Sequence, residues 1–243
     1  MGRSERQEQG SAKAWGGERR GKAMSADGSS SRAMRALEPA GMAGEDDPWQ
    51  KRKSAQTRVA ILDAAVECLA SQGYARTTTQ LIAQTANISR GAMMHHYATK
   101  QELIDSVIDY TFFKRMEAFG SEIKRLSDRE RVEEQAGIEL FWQTLLTREY
   151  QAYLELAIAA RTDADLRAIF EPKARRFDAV WRQSTIRLFP EWSDKQDKLM
   201  IAIDFCQAAM EGLLLNRSIW QPRERRVAVR KMVSEAILSL REG

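Results

Sequence analysis

The chain has 243 residues, 43% of them hydrophobic and 30% charged, with a formal net charge of +4; this is the composition of a soluble globular protein with an ample core in one large or two modest domains. No uninterrupted apolar run is long enough to cross a bilayer, the N-terminal segment lacks the apolar stretch of a secretory signal, and two distant cysteines make no disulfide framework, so a cytoplasmic location is expected. Residues 51–100 carry seven Lys/Arg against two Asp/Glu, whereas residues 1–50 carry eight against eight and residues 101–243 carry 23 against 24. So local an excess of positive charge suits a polyanionic partner and is more than solubility requires.

Residues 1–50 are rich in Gly, Ser, Ala and mixed charge without sustained periodicity, and are expected to be disordered because they bury too little apolar surface to offset chain entropy. Met24, Met34 and Met42 all fall there, and a start later than Met1 is one expectation. From Gln56 the chain reads as helix after helix. The first predicted helix places Ile61, Leu62, Ala65 and Leu69 on one face and stops at Gly73. Lys51, Arg52 and Lys53 precede it in a flexible lead-in, either as backbone contacts to nucleic acid or as a solvated charge run.

The stretch "TTQLIAQTANISRGAMMHHYATK", residues 78–100, holds both histidines of the chain. One of Thr77, Thr78 and Thr79 can cap a short helix that buries Leu81, Ile82 and Ala86. Asn87 tolerates the left-handed conformation needed between two helices, and Ile88 plugs the angle between them. Ser89 caps a second short helix whose buried residues are Met93 and Tyr97. By spacing alone this is a helix-turn-helix, in which the second helix enters the major groove.

The histidines admit other readings. Neighbours on a helix point about 100° apart, so His95 and His96 cannot ligate one metal together; helical pairs that do so are four residues apart. No cysteine or further histidine is available to complete a site. Solvated or half-packed histidines are the plain alternative to groove and phosphate contact.

The run "ILDAAVECLASQGYARTTTQLIAQTANISRGAMMHHYATKQELI" resembles the N-terminal domain of TetR/AcrR-type transcriptional regulators over about residues 56–107. Ile61, Ala65, Gly73, Tyr74, Thr78, Ile82, Ala83, Ala86, Ser89, Gly91, His96, Tyr97, Lys100 and Leu103 fall where that pattern expects them. Asn87 stands in place of the usual Gly, Met94 in place of Tyr and Ala98 in place of a frequent Pro; the lost Tyr hydroxyl removes one phosphate contact. The resemblance implies an all-α chain, with a three-helix DNA-binding domain over 51–107 and a helical effector-binding and dimerisation domain over 108–243. It also implies DNA contacts from Thr79, Gln80, Ser89, Arg90, Gly91, Ala92, His95, His96 and Lys100. Their chemistry agrees: Arg90 can bind guanine edges, Gln80 suits adenine, Ala92 meets a thymine methyl, and His96 and Lys100 reach phosphate.

Later helices are expected at about 131–147, 149–161, 163–189, 194–218 and 223–241, with Pro190 and Pro222 at boundaries and Pro172 breaking or kinking the third of them. Leu199, Ile203, Cys206, Met210, Leu213 and Leu214 form one apolar stripe, and Val229, Met232, Val233, Ala236, Ile237 and Leu240 another. Ala202, Ala208, Ala209 and Gly212 allow close helix approach. These stripes serve either the subunit core or a homodimer interface, which the resemblance implies is built from the two C-terminal helices. Cys68 and Cys206 read as buried structural filler.

Phe141, Trp142, Tyr150, Tyr153, Phe177, Trp181 and Phe205 make the middle helices aromatic. The resemblance implies a small-molecule cavity among them, lined by Phe141, Trp142, Tyr153, Glu155, Phe177, Trp181 and Phe205, although core packing is the plainer use of such residues. Glu155 and Arg161 stand out in an apolar run, as ion-pair partners or as ligand contacts. No nucleophile with an adjacent base, metal spacing or phosphate-binding Gly loop appears, so an enzyme is not expected. Neither is a cofactor. The reading is a dimeric repressor released from a palindromic operator by a small hydrophobic ligand; an activator, or a DNA-binding protein without an effector, would share the fold.

Overall fold

The structure, a computed structural model, describes residues 49–125, 134–219 and 223–243. The expected disorder of residues 1–48, the alternative starts and Pro222 lie outside the described residues. Within them every regular element is helical: α1 (Trp49–Gln72), α2 (Thr79–Thr85), α3 (Arg90–His96), α4 (Lys100–Arg125), α5 (Glu134–Leu145), α6 (Arg148–Ala159), α7 (Ala164–Leu188), a 3-10 turn (Pro190–Trp192), α8 (Gln196–Leu215) and α9 (Arg223–Glu242).

The caps explain the boundaries. The side chains of Thr78, Ser89, Thr147 and Asp163 each accept a hydrogen bond from a backbone N–H in the first turn of α2, α3, α6 and α7 respectively, satisfying donors that a helix start leaves open. Gly73 ends α1 with φ 77° and Asn87 makes the turn between α2 and α3 with φ 53°. The helix α1 starts at Trp49, about two turns earlier than periodicity suggests. Lys51, Arg52 and Lys53 are therefore helical and not part of a flexible lead-in, and Lys53 Nζ sits 5.2 Å from the centroid of the Trp49 ring. Nor does Pro172 break α7, which runs through it to Leu188; Pro172 lies on the exposed side of the helix.

Two cores result. The first joins Ile61, Leu62 and Leu69 of α1 to Ile82, Met93, Ile104, Ile108 and Phe112, and continues through Leu156, Phe170 and Phe177. Residues on both sides of position 107 share it, so the helix-turn-helix is built on the bundle and not tethered to it. The second lies at the far end, with Trp142, Tyr150, Trp192, Leu199, Met210, Val233 and Ile237. Tyr153 packs against both.

The stripes on α8 and α9 divide accordingly. Leu199, Cys206, Met210 and Leu213, with Val233 and Ile237, are buried inside the subunit, whereas Met232 is exposed. At Asn87 a β-branched side chain would clash with the positive φ at a cost of roughly 1–2 kcal/mol. Asn87→Val is expected to lower stability in urea unfolding by that amount, while Asn87→Gly is expected to lose nothing.

Candidate nucleic-acid interface and ligand cavity

The second helix of the pair, α3, offers a row of polar and small side chains to solvent. Arg90, Gly91 and His95 are exposed, Ala92 and His96 half-buried, while Met93 and Tyr97 anchor the other side in the core. Arg90 makes no hydrogen bond or ion pair with any described residue, which leaves its five donors for an external acceptor. A Cβ added to Gly91 would meet only Ser89 Oγ, at 3.9 Å, so the backbone there stands open to a close approach. Thr79 and Gln80 begin α2, half-buried and exposed respectively. Thr78, not Thr79, is the cap, which leaves the Thr79 hydroxyl free of that duty.

His95 and His96 stack loosely, with ring centroids 5.6 Å apart. Burial, the nearby Arg58 and the neighbouring His95 hold the His96 imidazole below its ordinary value. Lys100 is not a free cation. Its Nζ lies 3.3 Å from the carbonyl oxygen of Tyr74 and 4.3 Å from the centre of the Tyr74 ring, and burial pulls its pKa down, opposed by Asp163. It clamps the loop after α1.

That loop is tied to the bundle by a residue sequence reasoning placed elsewhere. Glu155, on α6, accepts a hydrogen bond from the backbone N–H of Tyr74 at 2.8 Å. A Cβ at Gly73 would come within 2.9 Å of the same carboxylate oxygen. Nearby, Arg148 at the start of α6 pairs with Asp63 of α1 at 2.8 Å, and Tyr110 of α4 donates to the same Asp63 oxygen at 3.0 Å. Glu155 therefore serves the junction and does not line the cavity. Arg161 is exposed, its carbonyl accepting from Arg167 at 3.4 Å.

A cavity of about 100 Å³ opens in the distal bundle between α4, α5, α7, α8 and α9, walled by Phe119, Phe141, Trp181, Leu199, Ile203 and Ile237, with Gln207, Thr185 and Glu191 as polar points. Its size is on the order of the dry engineered cavity that admits one benzene ring. Of the aromatic residues expected to line a pocket, Phe141 and Trp181 do so. Trp142 is buried beneath Arg230, whose guanidinium lies 4.9 Å from its ring. Tyr153 and Phe177 belong to a neighbouring aromatic group around Arg115. Phe205 points away from the cavity, 45% exposed on the outer face of α8; it is one residue out of register with the inward Cys206. Cys206 lines the cavity, and burial pushes its thiol up to about 12.

Arg115 was not singled out by the sequence, yet a signal exists. It lies three residues after Phe112 and four before Phe119, on the face of α4 that both bury. A charge at such a position in an apolar pattern is the informative anomaly.

The family model of the bacterial regulatory proteins of the tetR family matches residues 61–107. The HTH-type transcriptional regulator CymR of Pseudomonas putida is 25% identical over 181 residues, covering 73% of this chain and 86% of that protein. The HTH-type transcriptional regulator TtgR, also of Pseudomonas putida, is 37% identical over 59 residues, 24% of this chain and 28% of TtgR. Among solved structures, Salmonella enterica GusR superposes with a TM-score of 0.57 at 18% identity, covering 78% of this chain and 97% of that one. Among the described residues no group of three or more His, Cys, Asp and Glu could hold a metal, and no helix is long and apolar enough to cross a membrane.

The lowered pKa of His96 has a consequence for stability. The unfolded chain takes up that proton at higher pH than the folded one, so stability falls as pH drops from about 6.5 towards the folded value. His96→Gln is expected to lose less melting temperature than the parent between about pH 7.5 and about pH 5.5. An equal loss in both proteins would mean that His96 does not carry the effect.

Proposed function

For this chain, which belongs to the TetR family of bacterial transcriptional regulators, we propose the role of a cytoplasmic, dimeric repressor that leaves a palindromic operator when a small hydrophobic molecule enters its bundle. One observation carries the reading. The continuous helix α4 begins beside the recognition helix with Lys100 and reaches the distal bundle with Arg115 and Phe119. Those ends are separated by 15 or more residues, about 22 Å or more of rigid rise. A ligand that displaces Phe119 moves the same rod that Lys100 fastens to the loop before the helix-turn-helix. Effector binding then favours a separation of the two recognition helices that fits two successive major grooves poorly.

In this reading Arg90 binds a guanine edge, Gln80 an adenine and Ala92 a thymine methyl, with Gly91 and His95 in close approach. Thr79, Ser89, His96 and Lys100 meet the backbone phosphates. Duplex selected from a random pool is expected to carry a two-fold symmetric site, bound with an affinity that falls steeply as salt rises. Arg90→Ala is expected to cost about 1–3 kcal/mol and to relax preference at one position of each half-site. Recovery of no enriched site, or an unchanged preference in the variant, would sink the assignment.

Dimerisation is supported by the second face of α8. Opposite its buried stripe lie Ile201, Phe205, Ala208, Gly212 and Leu215, spaced by four and three residues, with Ile219 in the turn just past the helix end. Ile201, Phe205, Leu215 and Ile219 are large and exposed, as is Met232 on α9. Such a strip on a subunit suits the same strip on a second copy. Among the described residues, the helix's own nearby backbone aside, nothing lies within 4 Å of a Cβ added at Gly212, so Gly212→Trp is expected to keep the subunit fold and to obstruct a partner. Sedimentation is expected to show a folded monomer that no longer binds operator. A folded dimer retaining the operator places the interface elsewhere.

A further inference from the structure

Arg115 is 7% exposed, and its Nε and Nη1 are buried without a hydrogen-bond partner. No described carboxylate lies within ion-pair distance of it. Its guanidinium sits instead among rings, 4.0 Å from the centroid of Tyr153, 4.1 Å from Tyr150, 4.9 Å from Phe177 and 6.0 Å from Phe112. Cation–π attraction offsets part of the desolvation of a buried guanidinium, but ring faces do not satisfy its in-plane donors, and a buried cation normally has a counter-ion. Glu211, a carboxylate of the same region, is engaged by the Tyr150 hydroxyl at 2.6 Å and by Gln207 Nε2 at 3.0 Å.

The apolar cavity is adjacent. Phe119, one helical turn beyond Arg115, lines it, as do Phe141 and Trp181. Phe141 stands edge-on to Tyr150 at 6.3 Å, and Trp181 stacks on Phe177 at 6.2 Å. Those two side chains are thus the partition between a ring-sized apolar space and an unneutralised cation.

We propose that the effector is an aromatic monocarboxylate, its ring in this cavity and its carboxylate on Arg115, reached when the partition of Phe141 and Trp181 turns aside. One planar anion neutralises one planar cation and takes up its open N–H donors. Among the described residues no Lys or Arg lines the cavity, so the second charge of a phosphate dianion would go unmet there. The inference rests on the effector reading of the bundle, and its test separates the two.

The full-length protein is titrated by tryptophan fluorescence and calorimetry with 4-ethylbenzoate, 4-ethylbenzamide, ethylbenzene and 4-ethylphenyl phosphate, and the bound operator is challenged with each. The carboxylate is expected to bind at least about tenfold more tightly than the amide or the phosphate, as a charge-assisted contact predicts, and to release the operator. Arg115→Met keeps the shape and removes the charge. It is expected to fold with undiminished melting temperature, since an apolar replacement of a buried unpaired charge is neutral or stabilising, and to lose the preference for carboxylate. Equal binding of carboxylate, amide and ethylbenzene, with release of operator, overturns the carboxylate assignment and leaves the effector reading standing. Carboxylate binding that depends on Arg115 but leaves the operator bound supports the site and overturns release by effector. A destabilised Arg115→Met with unchanged ligand preference makes Arg115 a packing residue and overturns the proposal, as does failure of all four compounds to bind.

Discussion

A carboxylate from the bundle, that of Glu155, fastens the loop on which the register of the two halves depends. The chain leaves α1 through a left-handed glycine, and the next backbone N–H, that of Tyr74, is met by Glu155 from the bundle. The turn brings that N–H to the surface of α6 only because Gly73 has no side chain to keep the carboxylate away. From the same loop, the carbonyl of Tyr74 receives Lys100 and its ring covers the ammonium. A few polar contacts thus fix the angle at which the helix-turn-helix projects. Their individual strength is modest, but each is directional, whereas the shared apolar core beneath them is not.

The helix-turn-helix was legible from residues alone because local rules decide it. Thr78 and Ser89 cap, Asn87 turns, and Met93 and Tyr97 repeat at helical spacing; each choice is made within a few residues. Helix positions in the bundle were legible for the same reason, with Pro190 marking a true end. What periodicity cannot assign is which neighbour an apolar face meets. Both faces of α8 are apolar, so the stripe through Cys206 and Met210 and the strip through Phe205 and Gly212 look alike in one dimension. Only the packing of α9 and α5 separates an inward from an outward face, and Phe205 fell on the outward one.

Charged residues in the bundle were hidden by the same limit. Glu155 reads as a ligand contact when the partner, a backbone amide 81 positions away in sequence, is out of view. Arg115 passes unremarked next to Lys114, although the face it shares with Phe112 and Phe119 is buried. The early start of α1 has a different origin. Trp49, Lys51 and Lys53 give no amphipathic stripe, and intrinsic propensity together with continuity from a well-packed helix extends it.

The cysteine in the cavity wall limits the chemistry open to anything that enters there. With its thiol pushed up to about 12, Cys206 carries a thiolate fraction on the order of 10⁻⁵ at neutral pH, and attack on electrophiles or peroxide proceeds through the thiolate. Cys68, the other cysteine, is also buried and unpaired by disulfide. The Cys206 thiol is in this respect a poor target for oxidants and alkylating compounds. In the proposed role, a guest in this cavity is held by packing and polar contacts, without a bond to sulfur.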